Sequence, residues 1–181
     1  MAAEPVVIVL ASGRGERFRA SGGQTHKLQA LLDERTVLQH TLAAVQGSGL
    51  RWHLEQAPHP GMGDSIAASV RATADASAWL ILPGDLALIR PETLLLIAQA
   101  PNEWPVVRPS YQGRQGHPVR FGALCGPALM ALQGAQGAAA VVRQFGAQTL
   151  AVDDEGCITD IDTVQDLQRV RQILQARLTG G

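Results

Sequence analysis

Residues 5–18 read Pro-Val-Val-Ile-Val-Leu-Ala-Ser-Gly-Arg-Gly-Glu-Arg-Phe. The apolar run is short, rich in β-branched residues and unbroken by a polar residue. That pattern predicts a strand buried on both faces, as in a parallel sheet covered by helices. Gly13 and Gly15 follow at once, so the strand runs into a glycine turn. At the carboxyl edge of a parallel strand such a turn is where phosphates are held, because glycine lets backbone N–H groups approach a ligand closely. The same turn would also serve as a tight strand-to-helix connection with solvated arginines. Two familiar phosphate motifs do not fit. A dinucleotide fingerprint needs glycine where Phe18 stands, and a Walker A loop needs Gly-Lys-Ser/Thr where the chain has His26-Lys27-Leu28.

Outward from this strand, apolar and punctuating residues alternate along the chain. Leu31, Leu38, Leu42 and Val45 recur at helical spacing, predicting a helix over about 28–46 that Gly47 and Gly49 end. Arg51 to Glu55 predicts a second strand, and Met62 to Ala76 a helix entered through Gly61 and Gly63. Trp79-Leu80-Ile81-Leu82 is the clearest buried strand, and it leads into Pro83-Gly84-Asp85. Pro91 opens a helix to about Ala98. Strands are expected at 106–109, 119–121 and 149–152, with a turn at 113–116. Helices are expected near 127–132, 138–145 and 164–178. Residues 20–25 are expected to form a mobile loop. Alternating strands and helices predict an α/β fold with a mostly parallel sheet.

The composition narrows the class. A chain of 181 residues fits one domain large enough to fold without disulfides. Cys125 and Cys157 have no metal-binding or redox spacing and read as free thiols. The net charge of −1 and the lack of a basic block argue against a nucleic-acid partner. No apolar stretch approaches the roughly 20 residues that span a bilayer, and Val6 to Ala11 is too short for a signal peptide. A soluble cytoplasmic protein is expected.

Four further segments carry chemistry. Asp85 ends the central strand, where a hard oxygen ligand near a phosphate loop would suit Mg²⁺; capping the next turn is the other reading. Asp160-Ile161-Asp162-Thr163 places two carboxylates on one face of an extended segment, about 7 Å apart along it. So close together they repel unless a cation or donor lies between them, while Thr163 makes a good helix cap. Gly61-Met62-Gly63-Asp64-Ser65 opens a helix whose N–H groups could hold an anion or simply be capped. Gly116-His117-Pro118 lies in a turn, and its histidine reads as either structural or substrate-binding. His26, His40, His53 and His59 show no ligand spacing and are given no role.

The series Leu10-Ala11-Ser12-Gly13-x-Gly15-x-Arg17-Phe18, then Lys27-Leu28, Gly84-Asp85 and Gly116-His117-Pro118, resembles the nucleotidyltransferases that attach a nucleotide to molybdopterin. The resemblance runs from Val6 to about Val170. It implies a single-domain, Rossmann-like, nucleotide-diphospho-sugar transferase-like fold and transfer of a nucleoside monophosphate from a triphosphate to a small phosphorylated acceptor, with release of pyrophosphate. Carried over, Leu10, Ala11, Ser12, Gly13 and Gly15 wrap the nucleotide, Arg17 and Lys27 contact the triphosphate, and Gly61, Gly63 and Ser65 flank it. Asp85 and Asp162 hold Mg²⁺, with Asp160 as second choice. Gly116, His117 and Pro118 line the acceptor pocket. Ala11-Ser12-Gly13 is nearer the pattern of the CTP-using members than the Gly-Gly of the GTP-using ones. Transient docking on a molybdoenzyme is also implied. The chain departs from the family pattern in the insertion Arg19 to Gln24, in Ala87 where proline is usual, and in Ala135 where aspartate is usual. The alternatives are a guanylyltransferase, a sugar-phosphate nucleotidyltransferase, and a non-catalytic nucleotide-binding chaperone of a cofactor enzyme.

Overall fold

The structure, a computed structural model, describes residues 2–13, 15–23 and 25–180. In chain order the elements are β1 (Pro5–Leu10), α1 (Glu16–Ala20), β2 (Leu31–Leu32), β3 (Arg35–Thr36), α2 (Val37–Ser48), β4 (Arg51–Glu55) and α3 (Met62–Ala72). They continue with β5 (Ala78–Pro83), α4 (Pro91–Ala98), β6 (Val106–Tyr111), β7 (Arg114–Gln115), β8 (Val119–Gly122), α5 (Gly126–Met130), α6 (Ala139–Phe145), β9 (Ala147–Ala151) and α7 (Val164–Thr179). One seven-stranded sheet runs β4-β1-β5-β8-β6-β7, with β9 against the other edge of β6. The β4-β1-β5 half is parallel, as is β6-β9, while β8 and β7 pair antiparallel. This is the mostly parallel α/β sheet that the strand and helix pattern predicts.

Alternation along the central strands divides the core into two layers. Val7 and Val9 of β1, Leu80 and Leu82 of β5 and Val107 of β6 face α2, α4 and α7. Val6, Ile8, Trp79, Ile81, Val106 and Phe121 face α3, α5 and α6. Both faces of β1 and β5 are covered, which is why their sequences are continuous apolar runs. Cys125 and Cys157 are free and buried, and burial pushes the Cys157 thiol up to about 11. Among the described residues no helix is long and apolar enough to cross a membrane.

The structure corrects the expected helix at 28–46. Lys27–Gln29 is one short 3-10 turn, and β2 and β3 form a small hairpin turning at Asp33, whose φ is 60°. The helix begins only at Val37, where the Thr36 side chain and Gln39 make a reciprocal capping box. Leu31 therefore lies on the hairpin and is exposed; its helical spacing to Leu38 was coincidental. The helix expected to Ala76 stops at Ala72, because Thr73 leaves helical geometry at φ −125°. Of the loop expected at 20–25, Gln24 lies outside the described residues. Ser21 is anchored: its Oγ donates to the Phe18 carbonyl at 2.8 Å and accepts the Val164 N–H at 2.9 Å, tying it to the start of α7.

Arg120, on β8, is almost fully buried. Its guanidinium donates to the carbonyls of Ala100 at 2.6 Å, Pro101 at 2.8 Å and Trp104 at 3.2 Å. It thereby pins the α4–β6 connection to the sheet. Arg120→Met would strand those buried carbonyls. It is expected to destabilise the fold by about 3 kcal/mol, read as a lowered urea midpoint. A midpoint equal to wild type would show that the contacts are dispensable.

Candidate functional site

The carboxyl ends of the parallel neighbours β1 and β5 converge in register, Leu10 opposite Pro83. The Ala11 N–H donates to the Glu55 carbonyl and the Gly84 N–H to the Leu10 carbonyl, both at 2.9 Å. The glycine turn after β1 is thus fixed to the strands on either side. Within it, Ser12 Oγ lies 2.9 Å from Ser65 Oγ at the start of α3. A Cβ on Gly61 would lie 2.2 Å from the Gly134 carbonyl oxygen, so only glycine lets α3 begin this close to the 133–136 loop.

Beyond these turns opens a cavity of about 740 Å³, a size that suits a small-molecule ligand. Of the residues expected at the site, the structure brings Leu10, Ser12, Gly13, Lys27, Gly61, Ser65, Asp85, His117, Asp160 and Asp162 onto its wall. Others stand back from it. Gly63 is buried, its N–H donating to the Gly134 carbonyl at 3.0 Å. Ala11 and Gly15 belong to the backbone of the turn, and Arg14 lies outside the described residues. Gly116 packs against Cys157, whose carbonyl a Cβ would overlap at 2.3 Å. Pro118 is buried behind His117, across a cis peptide bond. Arg17, on α1, is 82% exposed and reaches the rim, with Nη1 3.6 Å from Asp162 Oδ2.

Asp85, Asp160 and Asp162 converge from the end of β5 and the segment before α7. Each offers one oxygen, and these three atoms lie within 4.8 Å of one another. The local fold explains the approach. Asp166 Oδ2 accepts the N–H groups of Asp162 and Thr163, and Thr163 Oγ1 accepts that of Asp166. This capping box fixes the aspartate pair at the head of α7. Asp85 is only 6% exposed. Lys27 Nζ donates to Asp85 Oδ2 at 2.9 Å and to Asp162 Oδ1 at 3.4 Å. Burial works against the Lys27 charge, but the Asp85 and Asp162 carboxylates outweigh it and raise its pKa. Burial, then the neighbouring Asp162 and Asp85 charges, hold the Asp160 carboxyl above the usual range.

Asp85 Oδ1 is buried and has no hydrogen-bond partner among the described residues. An orphaned carboxylate oxygen beside two more carboxylates is a hard, anionic donor set, which fits a divalent cation such as Mg²⁺ or Mn²⁺. A helix turn alone would not need three converging carboxylates.

The structure also assigns places to residues that the sequence pattern passed over. His26 caps the turn at Lys27–Gln29, accepting the Leu28 N–H, and its Nε2 contacts the Gly13 carbonyl. His59 lies on the cavity wall. Its Nε2 is 3.1 Å from Glu55 Oε1, while His53 Nε2 is 3.1 Å from Glu55 Oε2 and Ser69 Oγ donates to the same oxygen at 3.2 Å. Burial favours the neutral Glu55 carboxyl, yet hydrogen bonds from His53, His59 and Ser69 hold it below the usual range. Arg108 also lines the cavity. A charged residue following Val106 and Val107 in an apolar strand was the available sign of it. His117 is held below the ordinary histidine range by burial and by Arg108, against the pull of Asp85. It stays neutral near pH 7.

Residues 42–151 match the family described as MobA-like NTP transferase domain. Bifunctional protein GlmU of Xanthomonas euvesicatoria pv. vesicatoria (strain 85-10) is 30% identical over 122 residues, covering 56% of this chain and 27% of that protein. The chain thus spans about a quarter of the length of the GlmU relatives that it matches. Purine catabolism protein PucB of Bacillus subtilis (strain 168) is 31% identical over 132 residues, 68% of this chain and 63% of that protein. Among solved structures, Rv0371c from Mycobacterium tuberculosis H37Rv superposes with a TM-score of 0.80 at 23% identity, covering 95% of this chain and 99% of that one. A manganese complex of Rv0371c gives 0.76 at 20% identity, covering 95% and 100%. Molybdopterin-guanine dinucleotide biosynthesis protein A from Archaeoglobus fulgidus gives 0.69 at 15% identity, covering 94% and 98%. These superpositions establish the shared fold.

Proposed function

The chain belongs to the MobA-like NTP transferase domain family, and from that premise we propose that it is a Mg²⁺-dependent cytidylyltransferase acting in the cytoplasm as a single domain. It transfers CMP from CTP to a small phosphorylated acceptor, molybdopterin, and releases pyrophosphate. The observation that carries the reading is the cluster of Asp85, Asp160 and Asp162 on the wall of the cavity beside the glycine turn, with one buried carboxylate oxygen lacking a partner among the described residues.

The roles follow from position. The glycine turn after Leu10 and Ala11 cradles the triphosphate with N–H groups from Ser12 onward, the Ala11 N–H being taken by the Glu55 carbonyl. Ser12 and Ser65, 2.9 Å apart, close the turn against the head of α3, which Gly61 and Gly63 let pack close against the 133–136 loop. Asp85 and Asp162 would hold the metal ion, with Asp160 beside them; a bound Mg²⁺ would supply charge neutralisation at the phosphates. Lys27, between the two carboxylates, and Arg17 at the rim offset charge on the departing pyrophosphate. An acceptor oxyanion attacks the α-phosphorus in line, and the bond to the β-phosphate oxygen breaks. Such a reaction depends on positioning and charge neutralisation more than on a protein nucleophile. Neutral His117 is a donor or acceptor on the acceptor side of the cavity, with Gly116 and Pro118 shaping its turn. The product is suited to hand-over to a molybdoenzyme by transient docking.

Thermal melting with CTP, GTP, ATP or UTP, each with and without Mg²⁺, tests this. A ligand at 100 times its dissociation constant stabilises the folded state by about 2.7 kcal/mol. Stabilisation is expected to be largest with CTP and to require Mg²⁺. A preference for GTP would make the chain a guanylyltransferase, and for UTP or ATP a sugar-phosphate type. Absence of any shift would refute the nucleotide site.

A further inference from the structure

Part of the cavity wall is apolar, with Ile81, Val119, Phe121 and Val142. Arg108 brings a positive charge to this surface. It stands two residues beyond Val106 on β6, so strand alternation gives both the same sheet face. Its Nε is buried without a hydrogen-bond partner among the described residues. Among the described residues its guanidinium enters no ion pair; Asp85 and Asp162 pair instead with Lys27 and Arg17.

The neighbouring strand supplies an internal comparison. Arg120, buried on β8 opposite Val107, meets a ring of backbone carbonyls. That arginine is structural, and its acceptors are built into the fold. Arg108 has none. A guanidinium stays charged at any ordinary pH, and a charged donor buried without an acceptor is costly. A ligand oxyanion would satisfy it with paired N–H bonds. Gln115 and His117 line the same cavity and add neutral polar groups.

We propose that Arg108 is the residue that recognises the acceptor, gripping an oxyanion of its phosphate ester while Lys27, Asp85 and Asp162 deal with the nucleotide. The assignment of the bound anion to an acceptor rests on the nucleotidyltransferase reading above. Because Arg108 and Lys27 belong to different elements of the cavity, the two anions can be held at once.

The probe is inorganic phosphate, titrated by calorimetry into wild type, Arg108→Met and Arg108→Lys, each with and without saturating CTP and Mg²⁺. Arg108→Met is expected to bind phosphate about tenfold or more weakly while binding CTP within about twofold of wild type. It should melt no lower than wild type, since the half-buried Arg108 makes no side-chain hydrogen bond or ion pair among the described residues and only its Nε is buried without a partner. Arg108→Lys keeps the charge but loses the fork and should fall between the two. Acetate in place of phosphate is expected to bind wild type more weakly; tighter acetate binding would overturn the phosphate-ester assignment in favour of a carboxylate. Unchanged phosphate affinity in Arg108→Met, or a melting temperature that drops as it would for a structural arginine, would overturn the proposal. Wild-type CTP binding reports separately on the nucleotide reading. Its absence alongside Arg108-dependent phosphate binding would remove that reading and leave the anion site standing.

Discussion

Replacing Asp85 with asparagine is expected to lower nucleotidyl transfer by about a thousandfold, since metal charge stabilisation is worth several kcal/mol and each 1.36 kcal/mol is a factor of ten. The reason is local. Asp85 is the most buried of the three carboxylates, and its Oδ1 has no partner among the described residues. Asparagine keeps the volume and can keep a contact to Lys27, but it removes the anionic oxygen that a hard cation needs. The loss should fall on kcat, with the fold intact by circular dichroism. Wild-type turnover in this variant would disprove the metal assignment.

The second large effect concerns Lys27. In Lys27→Met the ammonium no longer stands between Asp85 Oδ2 and Asp162 Oδ1, 2.9 and 3.4 Å away. Charge on the departing pyrophosphate then lacks its buried counter-ion, and kcat is expected to fall by about a hundredfold or more. Stability should change as well. The folded Lys27 pKa is raised above 10.5, so its contribution is complete below the unfolded value and is lost as pH rises through the folded one. At pH 7 the variant, which leaves the buried Asp85 carboxylate without its ammonium partner, should be less stable by about 2 kcal/mol. Acid should narrow the gap by neutralising the carboxylates, and added Mg²⁺ should restore part of it. A urea midpoint equal to wild type at pH 7, with normal kcat, would show that Lys27 is a bystander.

Much of this was legible in the chain. The runs Val6 to Val9 and Trp79 to Leu82 read as strands covered on both faces because helices do cover them, one layer on each side. Asp85 and the Asp160/Asp162 pair were legible because strand ends and helix heads are where short polar residues interrupt apolar patterns. Their meeting was not, since the two segments are far apart in sequence and only the sheet order brings them together. The start of α2 was misplaced because Leu31 keeps helical spacing to Leu38 by chance, and the decisive features, the αL turn at Asp33 and the Thr36 cap, act below the level of periodicity. His59 was passed over because its partner Glu55 belongs to a strand edge and not to a ligand motif. Arg108 and Arg120 look alike in sequence, each beside valine or phenylalanine in a short strand. Only packing shows that one meets carbonyls and the other an open cavity.

The central claim is that the three carboxylates bind a divalent cation together with the nucleotide. Water-proton relaxation of Mn²⁺ in the presence of CTP reads this directly, because the ion tumbles slowly only when held on the protein. Wild type is expected to enhance the relaxation rate of the Mn²⁺–CTP complex, and Asp85→Asn to leave it near that of the complex alone. Equal enhancement by the two proteins, or none by wild type, would contradict the account.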